Sequence, residues 1–412
     1  MDLLREELYR SFLFFIENAN QDPNSKGCGL ILDNTKNKRM ASIASVGFGL
    51  SAYVIGVENK FITYDKGKKL VINTFKTFLY NLKHFNGFYP HFFDIYTGEP
   101  YNKCEYSTID TTIFFNGAIT CDSYFDDPVV HELFDKLYQR LNFKAFLKSY
   151  NDKLVISMSY NPNVGGAYRG NNESPWIYQW HMYAEQLSMY FLAAGSDYIT
   201  QEEAKKLWDG FSRKKGVYKN YKYVYCPTNA LFVYQYSHAW IDFRGLDTLD
   251  NIDWFKNSKV ATLANREYCV DHKEKYPVFE ESIWGATACL TPTGYRNQCV
   301  IPNDFPDKYE KMPGVFVPSA PFGSLPFAEE EVLEVVYALK EKYMEAFKEY
   351  GFIDSITIQD NEIWMAKDYV GINKGITVLM IDNYLNKTTW KYFMKHKVIM
   401  DAINKLGFKG GM

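Results

Sequence analysis

Apolar residues recur at helical spacing in one segment of the chain after another, and no alternation of strands with helices interrupts them. Residues 327–347 show the pattern most clearly, because their apolar positions fall three or four residues apart behind an acidic first turn. Residues 40–58 are apolar nearly all round and rich in Gly and Ala, as expected of a helix that packs on every side. A chain of this kind folds by packing helix on helix, so we predict an all-α fold.

The same spacing predicts about a dozen helices in one domain. They include residues 4–18, 68–83, 107–125, 128–141, 175–194, 229–240, 254–270, 372–384 and 388–400. A capping box of Thr200 and Glu203 begins a further helix, and short strands are predicted only at 154–158 and 354–359. No linker rich in Pro, Gly or Ser divides residues 1–412. A dozen antiparallel helices can close into a double ring, an (α/α)6 toroid with a cleft at one end. Stacked helical repeats are the alternative, but the chain shows no fixed period.

Aromatic residues make up 17% of the 412 residues and include 33 Tyr, more than a core requires. Many of these amphipathic rings are therefore expected along a groove, where the C–H faces of sugars or the faces of nucleic-acid bases can stack on them. The net charge of -3 and the lack of a basic run argue against nucleic acid as a partner. The composition favours a carbohydrate ligand.

The cysteines are odd in number and scattered. Seven of them, without a C-x-x-C pair, argue against a disulfide framework and against a zinc site. A Gly-rich phosphate loop is absent too, so we expect neither metal nor cofactor. No apolar stretch approaches the ~18 residues of a membrane span. The N-terminal segment is acidic and amphipathic, unlike a signal peptide. We expect a cytoplasmic protein, or a secreted or periplasmic one if a signal has been removed.

Glu185 is the first candidate for catalysis. On a helix over 175–194 it shares a face with Tyr178 and Met182, and no Lys or Arg lies three or four residues away. A carboxyl in such surroundings is desolvated, so its pKa rises and it can hold a proton near neutral pH, as the general acid of a glycosidase must. The competing interpretation is a solvated Glu on an outer helix.

Two further carboxylates are candidates. Asp110 ends the sequence Ser107-Thr-Ile-Asp, which is a capping-box pattern at the start of an apolar helix. Taken alone it predicts a structural cap, but a helix that begins at the cleft would also bring Asp110 into it. Glu281 lies near Trp284 in a loop, which suits a sugar stacked on the indole with a carboxylate at its hydroxyls. An exposed acidic loop is the alternative there.

Residues 234–245 form the densest polar and aromatic run in the chain, and its functional groups suit the binding of vicinal hydroxyls. The candidates in this run are Gln235, Tyr236, His238, Trp240, Asp242 and Arg244, and Tyr183 and Trp284 are further candidates for sugar binding. Asp242 and Arg244 can equally be a structural ion pair that braces a helix end. No second His at metal-ligand spacing accompanies His238, and the chain has no G-x-S-x-G motif, so a metal site and a catalytic triad are both rejected.

Several long strings of residues resemble one known family over most of the chain. They lie at 41–50, 87–94, 107–110, 183–185, 235–245, 257–258, 281–285, 323–328, 350–354, 371–375 and 380–384. The chain resembles the bacterial "putative glucoamylase" domain. Its characterised members act on β-1,2-glucans: the endo-β-1,2-glucanases of glycoside hydrolase family 144 and the cyclisation domain of cyclic β-1,2-glucan synthases.

The resemblance implies the (α/α)6 fold, a catalytic acid and a second functional carboxylate. The family's Tyr-Asn-Glu-Ala motif falls on Tyr183 to Gln186, which implies that Glu185 is the acid, although both residues beside it differ from the motif. The family's Gly-Glu-x-x-Trp-Gly motif places the second carboxylate at Glu281. Here Glu280 replaces the preceding Gly, so the exact substrate and reaction outcome need not follow the family.

These observations together predict a glycoside hydrolase that acts on β-1,2-glucan or its oligosaccharides. One alternative is a retaining transglycosylase or cyclising enzyme with Glu185 as acid and base and Glu281 as nucleophile. Another is a glucan-binding protein without catalysis. A sugar epimerase is a further class, but it relies on a pair of His residues, and the seven His here are dispersed.

Overall fold

The computed structural model describes residues 2–247, 250–305 and 313–409, and most of its regular structure is helical. The α-helices in these ranges are α1 (Asp2–Glu17), α2 (Ile43–Glu58), α3 (Tyr64–Tyr80), α4 (Thr108–Phe125), α5 (Pro128–Tyr138), α6 (Leu187–Gly195), α7 (Gln201–Trp208), α8 (Trp254–Asp271), α9 (Ser319–Phe322), α10 (Glu329–Lys342), α11 (Gly371–Leu385), α12 (Thr388–Met394) and α13 (Lys397–Leu406). The mostly helical architecture predicted from the periodicity is thus confirmed. None of the described helices is long and apolar enough to cross a membrane.

Helices α2 and α4 form the centre of the core and are buried on almost every side. Their backbones touch: a Cβ atom added at Gly117 would lie 2.1 Å from the carbonyl oxygen of Gly47. Each helix begins at a serine cap, because Ser42 Oγ accepts from the Ser45 N–H and Ser107 Oγ accepts from the Asp110 N–H. The apolar stretch predicted to be packed on all sides is therefore α2.

A buried ion pair joins α1 to α11. Lys374 Nζ lies 3.0 Å from Glu7 Oε1, and both side chains are almost completely buried. The ammonium group also donates to the Ser11 hydroxyl at 3.2 Å and to the Phe352 carbonyl at 2.7 Å. The Glu7 carboxylate in turn accepts from Ser11 Oγ and from the Phe352 N–H at 2.8 Å each. All the charged atoms of this pair thus have partners, as burial requires.

Short antiparallel strands are more frequent than the sequence predicts. They are β1 (Met40–Ser42), β2 (Phe92–Asp94), β3 (Tyr106–Ser107), β4 (Leu147–Tyr150), β5 (Lys153–Tyr160), β6 (Trp176–Gln179), β7 (Lys215–Tyr218), β8 (Tyr221–Val224), β9 (Cys289–Thr291), β10 (Gly294–Arg296), β11 (Phe347–Lys348), β12 (Gly351–Phe352), β13 (Ile356–Gln359) and β14 (Glu362–Met365). Strand β5 pairs with β3, β4 and β6, and the other strands form two-stranded ribbons. Apart from β5, each has at most four residues, too few for a period of two to stand out in the sequence.

Three predicted helices differ from the structure. Residues 175–194 contain strand β6, then a loop, and only then α6, because Trp176 and Ile177 pair with β5 instead of continuing a helix. Residues 229–240 form two single 3₁₀ turns, Leu231–Tyr234 and Ser237–Ala239. Residues 388–400 divide into α12 and α13, since the side chain of His396 accepts from the Val398 N–H and caps a new helix.

Candidate active site

A cavity of about 430 Å³, partly open to solvent, lies between the start of α4, strands β5 and β6, the loop before α6 and the start of α11. We call it the inner cavity. Its volume lies in the range of small-molecule sites. Its lining residues include three carboxylates and one imidazole: Glu105, Asp110, Glu185 and His91. The described residues hold no group of three or more His, Cys, Asp or Glu side chains arranged to bind a metal ion.

Glu185 lies in the loop that leads into α6 and not on a helix, which corrects the position expected from the sequence. The Ser237 hydroxyl donates to the Glu185 carbonyl oxygen at 2.7 Å. This hydrogen bond holds the loop against the start of the 3₁₀ turn Ser237–Ala239. Burial raises the pKa of the Glu185 carboxyl to about 7, and the neighbouring Asp110 contributes in the same direction. The perturbation that the sequence predicts for Glu185 is therefore present in the structure, although it arises in a loop.

Asp110 enters the inner cavity from the first turn of α4. The Ser107 hydroxyl donates to its carboxylate. A reciprocal capping box does not form, because the Ser107 N–H already donates to the Tyr89 carbonyl at 3.1 Å. The Asp110 carboxylate thus faces His91, whose Nε2 lies 3.5 Å from Asp110 Oδ1. The helix start supplies both the cap and a cavity carboxylate, as the sequence allows.

His91 bridges two of the carboxylates. Its Nδ1 lies 2.9 Å from Glu105 Oε1, while its Nε2 faces Asp110. Burial alone would lower the pKa of His91, but the negative charges of Asp110, Glu105 and Asp33 outweigh it and raise the pKa to about 9. An imidazolium at neutral pH therefore separates two carboxylates in the wall of the inner cavity.

Two acceptor atoms in this wall have no hydrogen-bond partner among the described residues. They are Glu105 Oε2 and Asn297 Oδ1, and both are buried. An unpaired buried acceptor is unfavourable unless a ligand or water satisfies it. Glu105 and Asn297 both line the inner cavity, so each brings one acceptor without a partner among the described residues into its wall.

Aromatic rings form much of the remaining wall. They are Tyr168, Tyr178, Trp180, Phe232, Tyr236 and Tyr295. The Trp180 indole is fixed because its Nε1 donates to Thr108 Oγ1 at 3.0 Å, next to the start of α4. Tyr236 is the one aromatic residue in this wall that the sequence predicted to bind sugar. An aromatic wall with a few polar groups suits the alternating C–H and hydroxyl surfaces of a sugar.

Glu281 lies outside the inner cavity. Its side chain is 66% exposed, and Lys273 Nζ lies 2.6 Å from its Oε1. That hydrogen bond lowers the pKa of Glu281. The adjacent Glu280 pairs with Lys342. The structure therefore does not bring Glu281 to Glu185 and Asp110, and the sequence alternative of an exposed acidic loop describes its surroundings.

Five other predicted binding residues are buried in the protein core: Tyr183, Gln235, His238, Trp240 and Trp284. The amide of Gln235 donates to the Ala320 carbonyl at 2.7 Å, and the indole of Trp240 donates to Ser51 Oγ at 2.9 Å. Burial lowers the pKa of His238 to about 3, so it is neutral. These side chains support the loops around the cavity, and the structure does not place them on its surface.

Asp242 and Arg244 form a two-pronged ion pair, with Arg244 Nε and Nη2 each 2.7 Å from a carboxylate oxygen. The guanidinium also lies over the Trp390 ring, 4.4 Å from its centroid. Of the two interpretations that the sequence allowed for Asp242 and Arg244, sugar binding or a structural ion pair, this arrangement matches the ion pair. Neither residue lines the inner cavity.

The sequence did not single out His91 or Glu105 as site residues. His91 lies within the string 87–94, and Glu105 precedes the Ser107 cap by two residues. Only the contact between the His91 and Glu105 side chains, which are 14 residues apart in the sequence, would identify them as a pair. That contact depends on how the segments before β2 and β3 approach each other, and residue spacing does not predict it. Tyr168 was likewise indistinguishable from many other tyrosines in an aromatic-rich chain, and Tyr178 was named only as a neighbour of Glu185 on a predicted helix.

Comparisons with known proteins identify relatives of the whole chain. A Parabacteroides distasonis protein described as "Exo beta-1,2-glucooligosaccharide sophorohydrolase (non-reducing end)" is 24% identical over 438 residues, which cover 98% of this chain and 57% of that protein. The chain thus spans little more than half the length of that relative. A Bacteroides uniformis structure described as a "putative glucoamylase" is 26% identical, with a TM-score of 0.83 over 99% of this chain and 97% of the other.

The endo-β-1,2-glucanase from Chitinophaga pinensis, solved with sophorotriose and glucose, has the same fold. Its TM-score is 0.84 over 99% of this chain and 98% of the other, at 23% identity. The family model described as "Putative glucoamylase" matches residues 177–397, more than half of the chain and including Glu185. The protein therefore belongs to this glucoamylase-like family.

Proposed function

We propose that this protein is a glycoside hydrolase that cleaves β-1,2-glucan or its oligosaccharides, with Glu185 as the general acid. The observation that carries the proposal is a carboxyl with a pKa of about 7 in the wall of an aromatic-lined cavity. Such a carboxyl keeps its proton in a large share of molecules at neutral pH and can give it to the leaving glycosidic oxygen. The β-1,2 linkage rests on the names of the Parabacteroides and Chitinophaga relatives.

Asp110 is proposed as the group that accepts the proton of the attacking water. It shares the inner cavity with Glu185, and its negative charge helps to keep Glu185 protonated. In the proposed step, Glu185 protonates the glycosidic oxygen as the bond to the anomeric carbon breaks. A water oxygen bonds to that carbon and releases its proton to Asp110. His91 and Glu105 orient the Asp110 carboxylate and bind sugar hydroxyls.

An (α/α)6 toroid in a single domain is the proposed architecture. One cluster of buried apolar residues runs from Leu4 to Phe408 and supports a single domain. The succession of helices along the chain, with the inner cavity lined by residues at the start of α4 and the start of α11, supports a ring whose helix ends surround the site.

The alternatives have weaker support. Retaining transfer or cyclisation with Glu281 as nucleophile requires that carboxylate within ~5 to 5.5 Å of the acid. Glu281 is instead ion-paired with Lys273 on the surface. A glucan-binding protein without catalysis does not need a carboxyl whose pKa is raised to about 7. An epimerase needs two His side chains, and His91 is the one His among the residues that line the inner cavity.

The substrate class is tested by incubating the protein with β-1,2-, β-1,3-, β-1,4- and α-1,4-glucans and following the products by chromatography. We expect cleavage of the β-1,2-glucan alone. Proton NMR of the first-formed anomer identifies the stereochemistry, and an inverted α-anomer without transfer products is the expected result. A retained β-anomer with transfer products would replace hydrolysis by transglycosylation.

The pH dependence of hydrolysis should follow the proton on Glu185. The general acid acts in its protonated form, so kcat/KM on a β-1,2-glucan is expected to fall as pH rises through about 7, the raised pKa of Glu185. His91, with a pKa of about 9, stays protonated over that range. Initial rates between pH 5 and 10 distinguish the two groups. An alkaline limb centred near 9 would indicate His91 as the controlling group instead.

A further inference from the structure

A second cavity adjoins the inner cavity on the side of strand β6. Its volume is about 460 Å³, close to that of the inner cavity. We call it the outer cavity. Its lining residues are Tyr168, Asn172, Glu173, Ser174, Trp176, Ile177 and Tyr178. Three of them, Tyr168, Ile177 and Tyr178, also line the inner cavity, so the two spaces share a wall.

Two tyrosines in this shared wall expose their rings. Tyr168 is 67% exposed and Tyr178 is 66% exposed, and neither ring packs against another aromatic ring among the described residues. The pKa of the Tyr168 phenol is raised by burial of its hydroxyl end and by the charges of Glu105 and Asp110. Tyr168 therefore lies near the carboxylates of the inner cavity, whose wall it shares with the outer cavity.

Both tyrosines also adopt a backbone conformation that bulky residues avoid. Their φ angles are +56° at Tyr168 and +48° at Tyr178, in the left-handed region. Such strain persists only where the surrounding structure imposes it, and it concentrates at ligand-binding sites. Here the left-handed backbone turns two apolar rings outward at the junction of two cavities.

Hydrogen bonds and ring packing hold the segments that carry these two tyrosines. Arg169 is buried, and its guanidinium donates three hydrogen bonds to the carbonyls of Asn161 (3.0 Å), Asn172 (3.1 Å) and Glu173 (3.0 Å). On the other side of the outer cavity, the Trp176 ring packs edge-on against Phe146, with centroids 5.2 Å apart. The loop and strand that carry the exposed rings are thus held in place before any ligand binds.

We propose that the outer cavity is an additional sugar-binding subsite, which holds glucosyl residues of a glucan chain that extends beyond the inner cavity. Tyr178 and Tyr168 stack on the C–H faces of sugar rings at the junction, and Trp176 forms the apolar floor. Asn172 and Glu173 supply polar groups for the hydroxyls. This inference rests on the proposed glucan substrate.

The subsite predicts a dependence on chain length that a structural role would not produce. Y178A is expected to lower kcat/KM by about tenfold on β-1,2-glucan chains long enough to fill both cavities, the order of magnitude of one aromatic stacking contact. The shortest oligosaccharide that is cleaved should lose clearly less, because Tyr178 also lines the inner cavity and only that contact is removed for a short chain. Y178F keeps the ring and should behave as the unaltered protein at every length.

Tyr337 on α10 offers a matched control, because it has the same 66% exposure and lies outside both cavities. Y337A should leave kcat/KM unchanged for all chain lengths. The proposal is overturned if Y178A lowers kcat/KM equally for short and long chains, or if it has no effect on the long ones.

Binding measured without turnover separates this inference from the catalytic proposal. Isothermal titration of the E185Q protein with β-1,2-glucooligosaccharides of increasing length should give affinity that rises with length, and the rise should be lost in the E185Q/Y178A protein. If E185Q proves fully active, Glu185 is not the general acid. The subsite is then still tested by the activity of Y178A on oligosaccharides of increasing length. If affinity does not rise with length, the subsite is refuted even when Glu185 is the acid.

Discussion

Replacing Glu185 by Gln is expected to lower kcat on β-1,2-glucan by about 100-fold or more, the usual contribution of a positioned general acid. The amide keeps the size of the side chain but has no proton of suitable acidity for the leaving oxygen. Folding should be unaffected, because none of the residues that the structure describes forms an ion pair with the Glu185 carboxylate. Steady-state rates, together with circular dichroism and thermal unfolding of the same sample, test both expectations.

E281Q is the matched control for E185Q. It makes the same chemical change in a side chain that is exposed and paired with Lys273, outside the inner cavity. Its kcat should stay close to that of the unaltered protein, because Glu281 does not line the inner cavity, and its stability should change by ~0.5 kcal/mol or less. A loss in E281Q as large as that in E185Q would restore Glu281 as a catalytic nucleophile.

The second large effect concerns stability. E7Q is expected to lower the free energy of unfolding by about 3–5 kcal/mol, because it leaves the buried ammonium of Lys374 without its charged partner. The amide oxygen that replaces the carboxylate can still accept a hydrogen bond from Lys374. The loss of unfolding free energy therefore reports the missing negative charge more than a missing hydrogen bond. Urea unfolding followed by tryptophan fluorescence gives the value from the midpoint and slope.

Glu6, the preceding residue of α1, provides the comparison for E7Q. It pairs with Arg10 at 2.8 Å, but both side chains are substantially exposed. Exposed pairs of this spacing contribute about 0.3–0.5 kcal/mol, so E6Q should differ little from the unaltered protein. Equal stabilities of E6Q and E7Q would show that the buried pair contributes no more than a surface pair.

The helices that pack on many neighbours could be predicted from the sequence, and those that depend on distant contacts could not. Helices α2, α4, α8, α10 and α11 follow from their own periodicity and end within a few residues of the predicted bounds. Residues 175–179 have similar apolar content but form a strand, because β5 offers unpaired backbone groups beside them. Local propensity is a weak prior where tertiary pairing competes with it.

The same distinction separates the site residues. The raised pKa of Glu185 could be predicted, because it requires apolar neighbours and the absence of a nearby cation. Both conditions are visible in the sequence around Glu185. Trp240 and Trp284 were expected at the sugar because they stand next to polar residues in the sequence. That pattern occurs in clefts and in cores alike, and both side chains are in the core. The His91 bridge brings together side chains from separate segments, so it needed the three-dimensional structure.

The contact between α2 and α4 limits how this protein can be engineered. Changing Gly to Ala inside a helix often raises thermal stability, because it restricts the unfolded chain. At Gly47 the new methyl group would lie 2.2 Å from the Ile113 carbonyl oxygen, so α4 would have to move away. Asp110 lies one turn before Ile113 on that helix and would move with it. A thermostability library should therefore leave Gly47 and Gly117 unchanged, since a substitution there that restricts the unfolded chain would also displace a carboxylate of the inner cavity.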